Sequence, residues 1–202
     1  MYGNVKKLVL IMMTKKFNSN DMLNNNGNYT GSDEAYTPSY AVEPILKYIK
    51  KDMVVWCPFD TEESEFVKQI SKTNKVVCSH IDMGQDFFKY EPLEQWDVMI
   101  SNPPFKKKNL FFERALSFNK PICLLMTLAS LNDKNPAFAF YRAGRQFQLL
   151  KFDKRIHFSK KDGKTEKKTT FSSGYMCADF LPKDLILEEI SYIDNKGEKD
   201  NV

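Results

Sequence analysis

The sequence contains few of the residues that build metal centres, disulfide frameworks or membrane spans. It has two histidines and four cysteines, and the cysteines lie far apart with no Cys-x-x-Cys pair. Each cysteine falls in an apolar, strand-like run, where a reduced and buried thiol is the usual state. We therefore expect no disulfide and no metal site. The apolar run at residues 8–13 is too short for a secretory signal or a membrane span, so we expect a cytoplasmic protein with no membrane partner.

The remaining composition is that of a soluble globular domain. Of the 202 residues, 42% are hydrophobic and 28% are charged, which suits one domain with a sizeable core. The net charge of +4 permits nucleic-acid binding, although an ordinary basic surface is equally consistent with it. Residues 1–32 include a stretch rich in Asn, Ser and Gly, for which we predict disorder. A polar tail at 194–202 leaves 33–193 as the folded domain.

Apolar runs of strand length alternate with helical patterns through the first two thirds of this domain. That alternation predicts right-handed crossovers and a parallel sheet. In the last third, the runs at 147–152 and 171–181 flank a basic loop at 160–170, which is typical of an antiparallel hairpin. A final run at 185–193 is compatible with a strand or a helix. The predicted fold class is α/β, with a mostly parallel sheet and an antiparallel C-terminal edge hairpin.

The strand predicted at 96–101 ends abruptly in Asn102-Pro103-Pro104-Phe105. Two prolines cannot continue a strand, so the chain turns out of the sheet at a carboxyl end, where ligands bind in open α/β sheets. The Asn102 side chain and the Pro103 carbonyl are two rigid acceptors that suit a planar amino group. Such bonding makes the lone pair of the amine available for attack without a strong base. Phe105 would stack on a base flipped out of a duplex.

This tetrapeptide after a hydrophobic strand resembles motif IV of the amino-methyltransferases that use S-adenosylmethionine. The whole of 33–193 resembles small phage and prophage adenine-specific DNA methyltransferases. The resemblance implies a Rossmann-like class I methyltransferase fold, S-adenosylmethionine as cofactor and methyl transfer to adenine N6 in DNA, in a bacterial or phage-infected cell. It also implies catalytic roles for the motif IV residues, with Pro104 among them. Three further segments match positions that face the cofactor in this family: Tyr36, Thr37 and Pro38; Cys57, Pro58, Phe59 and Asp60; and the segment 82–88, which begins with the acidic Asp82 and contains Asp86 with Phe87.

The segment at the motif I position departs from the family because residues 57–64 contain no glycine. Glycines there normally let the backbone approach the cofactor closely. A non-catalytic binding module that kept the fold therefore remains an alternative, as does methylation of RNA or of a protein amide. For single residues, helix capping is the alternative role of Asp60 and of Thr37 with Pro38. An Asx-turn is the alternative role of Asp86.

Two groups of lysines are candidates for contacts with a nucleic-acid backbone. Lys106, Lys107 and Lys108 directly follow the Asn-Pro-Pro-Phe turn, where a solvated helix start is the alternative. The second group lies in the basic loop at 160–170, and we expect it to reach phosphates: Lys164, Lys167 and Lys168. The expected partner is DNA with an adenine-containing target.

Overall fold

The computed structural model describes residues 36–104, 108–132, 134–159 and 171–191, without the side chains of 108–109 and 134–137. The segments predicted as disordered N-terminal region and polar tail, 1–32 and 194–202, lie outside these residues. Several predicted site residues also lie outside them: Phe105, Lys106, Lys107, Lys164, Lys167 and Lys168. Lys108 is described by its backbone alone.

The described chain alternates between helices and strands, as the sequence pattern predicts. The four α-helices of the described part are α1 (Ser39–Leu46), α2 (Glu65–Ile70), α3 (Lys108–Ser117) and α4 (Lys134–Ala143). The strands are β1 (Val54–Cys57), β2 (Lys75–Cys78), β3 (Val98–Ser101), β4 (Ile122–Thr127), β5 (Gln148–Phe152), β6 (Ser173–Ala178) and β7 (Leu185–Glu188). Short 3₁₀ turns follow β2 and β4, at Ile81–Met83 and Leu128–Asn132. Within the described ranges, none of the helices combines the length and the hydrophobicity that a bilayer crossing needs.

These strands form one sheet in the order β2-β1-β3-β4-β6-β5-β7. Strand β1 is parallel to β2 and β3, and β3 is parallel to β4. Strand β6 runs antiparallel to both β4 and β5, and β7 runs parallel to β5. The predicted fold class, a mostly parallel Rossmann-like sheet with antiparallel strands, is therefore confirmed.

The antiparallel hairpin is present. We predicted that it lies at the edge of the sheet, but it does not. Strand β6 inserts between β4 and β5, and β7 takes the edge. Burial gives the reason: all six residues of β6 are buried, so both of its sides must be covered. Along β7, Leu185 and Leu187 are exposed while Ile186 and Glu188 are half-buried, an alternation that suits an edge strand. The ambiguous run at 185–193 thus begins as a strand.

Helices cover both faces of the sheet because successive strand residues point to opposite sides. Val55 and Cys57 pack with α1 and α2 in one core cluster, whereas Trp56 packs with α3 and α4 in the other. From β1 the chain first moves outward to β2 and then crosses to β3 on the other side of β1. The strand order therefore reverses between β1 and β3, and the crevice beyond their carboxyl ends is where open α/β sheets bind ligands.

Candidate active site

A buried carboxyl group joins the turn after β1 to the end of β3. Asp60, 7% exposed, accepts hydrogen bonds from the hydroxyls of Ser101 and of Ser64, the latter at 2.5 Å. The Phe59 N–H donates to Ser101 Oγ at 3.3 Å. Burial raises the pKa of Asp60 to about 6, although the hydroxyls of Ser101 and Ser64 and the nearby His80 favour the anion. Both oxygens of Asp60 accept hydrogen bonds from the protein, so this residue holds the glycine-free turn in place.

The other residues of this turn also face the protein interior. Cys57 and Pro58 are buried, and burial raises the pKa of the Cys57 thiol well above its usual value. The ring of Phe59 packs against Phe87 at 4.7 Å and Phe111 at 5.0 Å between centroids. Phe59 is half-buried, and it is the one residue of the predicted motif I group whose side chain keeps access to solvent. The buried side chains of Cys57, Pro58 and Asp60 would therefore act on a cofactor indirectly, by setting the shape of the turn.

The predicted motif X segment meets the Asn-Pro-Pro turn directly. The Asn102 side-chain nitrogen donates to Thr37 Oγ1 at 3.1 Å, although 65 positions separate the two residues. Helix α1 starts after Pro38 without a side-chain cap, so the hydroxyl of Thr37 binds Asn102 and does not cap the helix. This bond to the amide nitrogen fixes the rotation of the Asn102 side chain, and thereby the position of its oxygen, which is the acceptor. Pro103 is buried and Pro104 is half-buried beside it.

The residues on either side of the basic loop at 160–170 lie at this same edge of the sheet. Tyr36 and Ser159 exchange two backbone hydrogen bonds, of 2.9 and 3.0 Å. The rings of Phe158 and Phe171 stack at 5.9 Å, and the Leu128 N–H donates to the Ser172 carbonyl at 2.8 Å just beyond the end of β4. Ser159 and Ser172, on either side of the loop, thus lie next to the Tyr36–Thr37 segment and beside the carboxyl end of β4.

The turn after β2 and the residues that follow it, up to Phe88, form another part of the site. His80 Nδ1 accepts from the Asp82 N–H at 3.2 Å, and the Asp82 side chain is 63% exposed. Asp86 Oδ1 accepts from the Phe88 N–H at 3.1 Å, which is the Asx-turn considered as its alternative role. Phe87 is 3% exposed and its ring lies 5.7 Å from that of Trp56. Its side chain therefore lies in the core, away from the surface where a cofactor contact was predicted.

Two polar residues of this edge were not among the predicted site residues. Ser101 and Ser79 are fully buried, and the hydroxyl of Ser79 accepts from Trp56 Nε1 at 3.0 Å. The signal for both is a serine that ends an otherwise apolar strand. Asp82, which begins the predicted segment 82–88, is an acidic side chain shortly after the second parallel strand, where α/β folds hold a ribose.

The structure therefore brings together Thr37, Asn102 and the turn that Asp60 holds in place, at the point where the strand order reverses. Strands β2, β1 and β3 are neighbours and parallel, so the turns that follow them lie along one edge. Among the described residues, no group of three or more His, Cys, Asp or Glu side chains gathers as a metal site would require. The chemistry available at this edge is that of hydrogen-bond acceptors, hydroxyls and aromatic rings.

No protein-family model matches the chain, and no curated protein matches it in sequence. Among solved structures, it is similar to a candidate RNA methyltransferase from Pyrococcus horikoshii, with 13% identity over 87% of this chain and 97% of that one and a TM-score of 0.45. A candidate class I S-adenosylmethionine-dependent methyltransferase from Listeria monocytogenes has 12% identity over 96% and 75%, with a TM-score of 0.49. TrmN from Thermus thermophilus has 13% identity over 69% and 48%, with a TM-score of 0.35. These similarities assign no activity to this chain.

Proposed function

We propose that this protein is an S-adenosylmethionine-dependent methyltransferase that acts on the N6 amine of adenine in DNA. The observation that carries the proposal is the Asn102–Thr37 hydrogen bond of 3.1 Å beside a Pro-Pro turn at the reversal of strand order. An amide that is held by its nitrogen, next to a rigid backbone carbonyl, is suited to receive both hydrogens of a planar amino group.

The side chains along this edge fit S-adenosylmethionine by their chemistry. The exposed carboxylate of Asp82 suits a ribose diol, and the half-buried Asp86 suits the amino group of an adenine ring. Thr37, Pro38 and Phe59 line the same edge and would complete the contacts. When it is bound, S-adenosylmethionine supplies a methyl group carried on a positively charged sulfur.

The chain itself would position and activate the acceptor amine. Asn102 and Pro103 would accept its two N–H groups, which draws the nitrogen toward a tetrahedral shape and frees its lone pair. Thr37 would keep the Asn102 amide from rotating. The N–C bond would form as the bond between the methyl carbon and the sulfonium sulfur breaks, with the sulfur keeping the electron pair. The amine nitrogen would then carry one proton too many, and water would accept it. Phe105 would hold the base by stacking, at about 1–3 kcal/mol.

DNA is the proposed partner because two groups of lysines adjoin segments of the site in the sequence. Lys106, Lys107 and Lys108 follow the Asn-Pro-Pro-Phe turn, and the loop at 160–170 starts from Ser159, which pairs with Tyr36 at the site. Its lysines are the second set of proposed phosphate contacts: Lys164, Lys167 and Lys168.

The test is incubation with labelled S-adenosylmethionine and unmethylated DNA, RNA or protein in parallel. We expect label in the N6 position of adenine in DNA. Asn102→Ala should lower turnover by about 10²–10³-fold and change cofactor affinity by less than about twofold. Asn132→Ala, the same change at an exposed asparagine, is the matched control. Undiminished methylation by the Asn102 variant, or label in RNA or protein alone, would refute the proposal.

A second candidate is a non-catalytic binding module that has kept the fold. The observation in its favour is the glycine-free turn, in which Cys57, Pro58 and Asp60 are all buried. Calorimetric titration with S-adenosylmethionine separates the two functions. An enzyme should bind the cofactor in the micromolar range typical of substrates, about 1 μM–1 mM, whereas absence of binding up to millimolar concentration would favour the module.

A further inference from the structure

A half-buried arginine joins helix α3 to the turn that carries Asp86. Arg114 lies on α3, the helix that follows the Asn-Pro-Pro-Phe turn. Its Nε donates to the Phe87 carbonyl at 2.6 Å and its Nη2 donates to the Tyr90 carbonyl at 3.1 Å. The guanidinium also lies over the rings of Phe87 and Phe118, at 5.6 and 4.9 Å from their centroids.

The carbonyls that Arg114 binds belong to a short turn at 86–90. Within that turn, the Asp86 carbonyl accepts from the N–H groups of Lys89 at 2.8 Å and Tyr90 at 2.7 Å. The Asp86 side chain accepts from the Phe88 N–H. The turn is therefore held at its start by Asp86 and at its end by Arg114. Asp86 is the residue proposed above to face the adenine of the cofactor.

The surroundings of Arg114 indicate a geometric role. Burial lowers the pKa of Arg114, while the charges of Glu91 and Asp86 act in the opposite direction. Within the described residues, no carboxylate forms an ion pair with the guanidinium. A cation that is partly desolvated and bonded to neutral carbonyls gains its stabilisation from bonds that a planar fork makes in fixed directions. A lysine would keep the charge but could not reproduce those directions.

We propose that Arg114 is a positioning residue that fixes the turn at 86–90 to helix α3 and so holds Asp86 in place for cofactor binding. The consequence for binding rests on the proposed function; the consequence for the turn does not. With Arg114 in place, the carbonyls of Phe87 and Tyr90 are bound to a side chain of α3. Without it, the turn that carries Asp86 loses both of these hydrogen bonds.

Amide hydrogen exchange on the ligand-free protein tests the positioning role directly. In both Arg114→Lys and Arg114→Met, the amides of Phe88, Lys89 and Tyr90 should exchange at least about tenfold faster, on the scale of one lost hydrogen bond to a charged group. The amides of β1 and β3 should be unchanged. Arg142→Lys is the matched control, because Arg142 pairs at 2.7 Å with Glu113 at the surface. Unchanged exchange in the turn of the Arg114→Lys variant would overturn the inference.

Ligand binding tests the consequence for the cofactor. Arg114→Lys should raise the dissociation constant for S-adenosylmethionine about tenfold. If Arg114 served only to place a positive charge in the fold, the lysine variant would bind the cofactor as tightly as the wild type, and the positioning role in cofactor binding would be refuted. A wild-type protein that binds no cofactor would refute the proposed function, while the exchange experiment would still decide the role of Arg114. Should Arg114→Met unfold, the lysine variant alone decides.

Discussion

The buried carboxyl of Asp60 allows a quantitative test of how the glycine-free turn is held. Replacing Asp60 with Asn removes the charge and keeps the shape. The folded pKa of about 6, against an ordinary value of 3.8, means that the folded protein binds this proton more tightly than the unfolded chain does. Stability from this group is therefore present at pH values below about 4 and is lost as the pH rises to about 6.

The size of this effect follows from the pKa difference. A shift from 3.8 to about 6 corresponds to about 3 kcal/mol at neutral pH. Loss of two hydrogen bonds to an anion, about 1.5–3 kcal/mol each, opposes the gain on substitution, although the Asn oxygen still accepts one hydroxyl. We therefore expect the difference in free energy of unfolding between Asp60→Asn and wild type to move by about 2.4 kcal/mol between pH 4 and pH 7, because the unfolded carboxyl is already more than half ionised at pH 4. At the higher pH, the free energy of unfolding of the variant is larger relative to that of the wild type than it is at the lower pH.

Urea unfolding at a series of pH values measures this difference, and carbon NMR of the labelled carboxyl should show a midpoint near 6. Asp97→Asn controls for the general loss of one carboxylate, since Asp97 is exposed and its oxygen accepts from the Val54 N–H at 2.8 Å. A difference between Asp60→Asn and wild type that is the same at pH 4 and pH 7 would refute the reasoning. It would mean that burial does not control the proton affinity of Asp60.

Two further predictions concern the target side of the site. Thr37→Val removes the acceptor of the Asn102 amide and should lower turnover about tenfold, the scale of one hydrogen bond; steady-state kinetics measures this change. Replacing three lysines of the basic loop with Ala should weaken DNA binding and reduce the slope of log affinity against log salt by about 2.7, or about 0.9 for each lost phosphate contact. A filter-binding titration over a range of salt concentrations measures this slope for the triple variant Lys164→Ala, Lys167→Ala and Lys168→Ala.

Each of these changes has a matched control. Thr37→Ser keeps the hydroxyl and should retain turnover, so equal loss in the Ser and Val variants would contradict the role given to the Thr37–Asn102 bond. For the basic loop, the control triple variant changes exposed lysines beside the amino ends of β1 and β2: Lys50, Lys51 and Lys72. A salt slope reduced equally in both triple variants would show that net charge alone governs binding.

Much of the candidate site could be predicted because its signals are local. The double proline must end a strand wherever it occurs, so the turn at Asn102 follows from the chain itself. Alternation of strands with helices predicts a parallel sheet, and the carboxyl ends of parallel strands share one edge. The turns that carry Asp60 and Asn102 both follow strands of this sheet and therefore lie on the same edge.

Other features depend on contacts between distant parts of the chain. The order of the last strands follows from which of them is covered on both sides, and β6 is fully buried while β7 is not. Phe87 and Phe88 are consecutive aromatic residues in a turn without periodicity, so the pattern could not tell which ring enters the core. Packing against Trp56 decides it.

The sequence by itself determined the class of fold, the break at Asn102-Pro103-Pro104 and the absence of glycine from the turn after β1, because each depends on residues within a few positions of one another. Only the tertiary structure decided how that turn is held and what lies next to the break. The Asp60–Ser101 and Thr37–Asn102 hydrogen bonds join residues 41 and 65 positions apart. Such pairs meet only when β1, β3 and the segment before α1 are packed together, because a hydrogen bond needs its two atoms within about 3 Å.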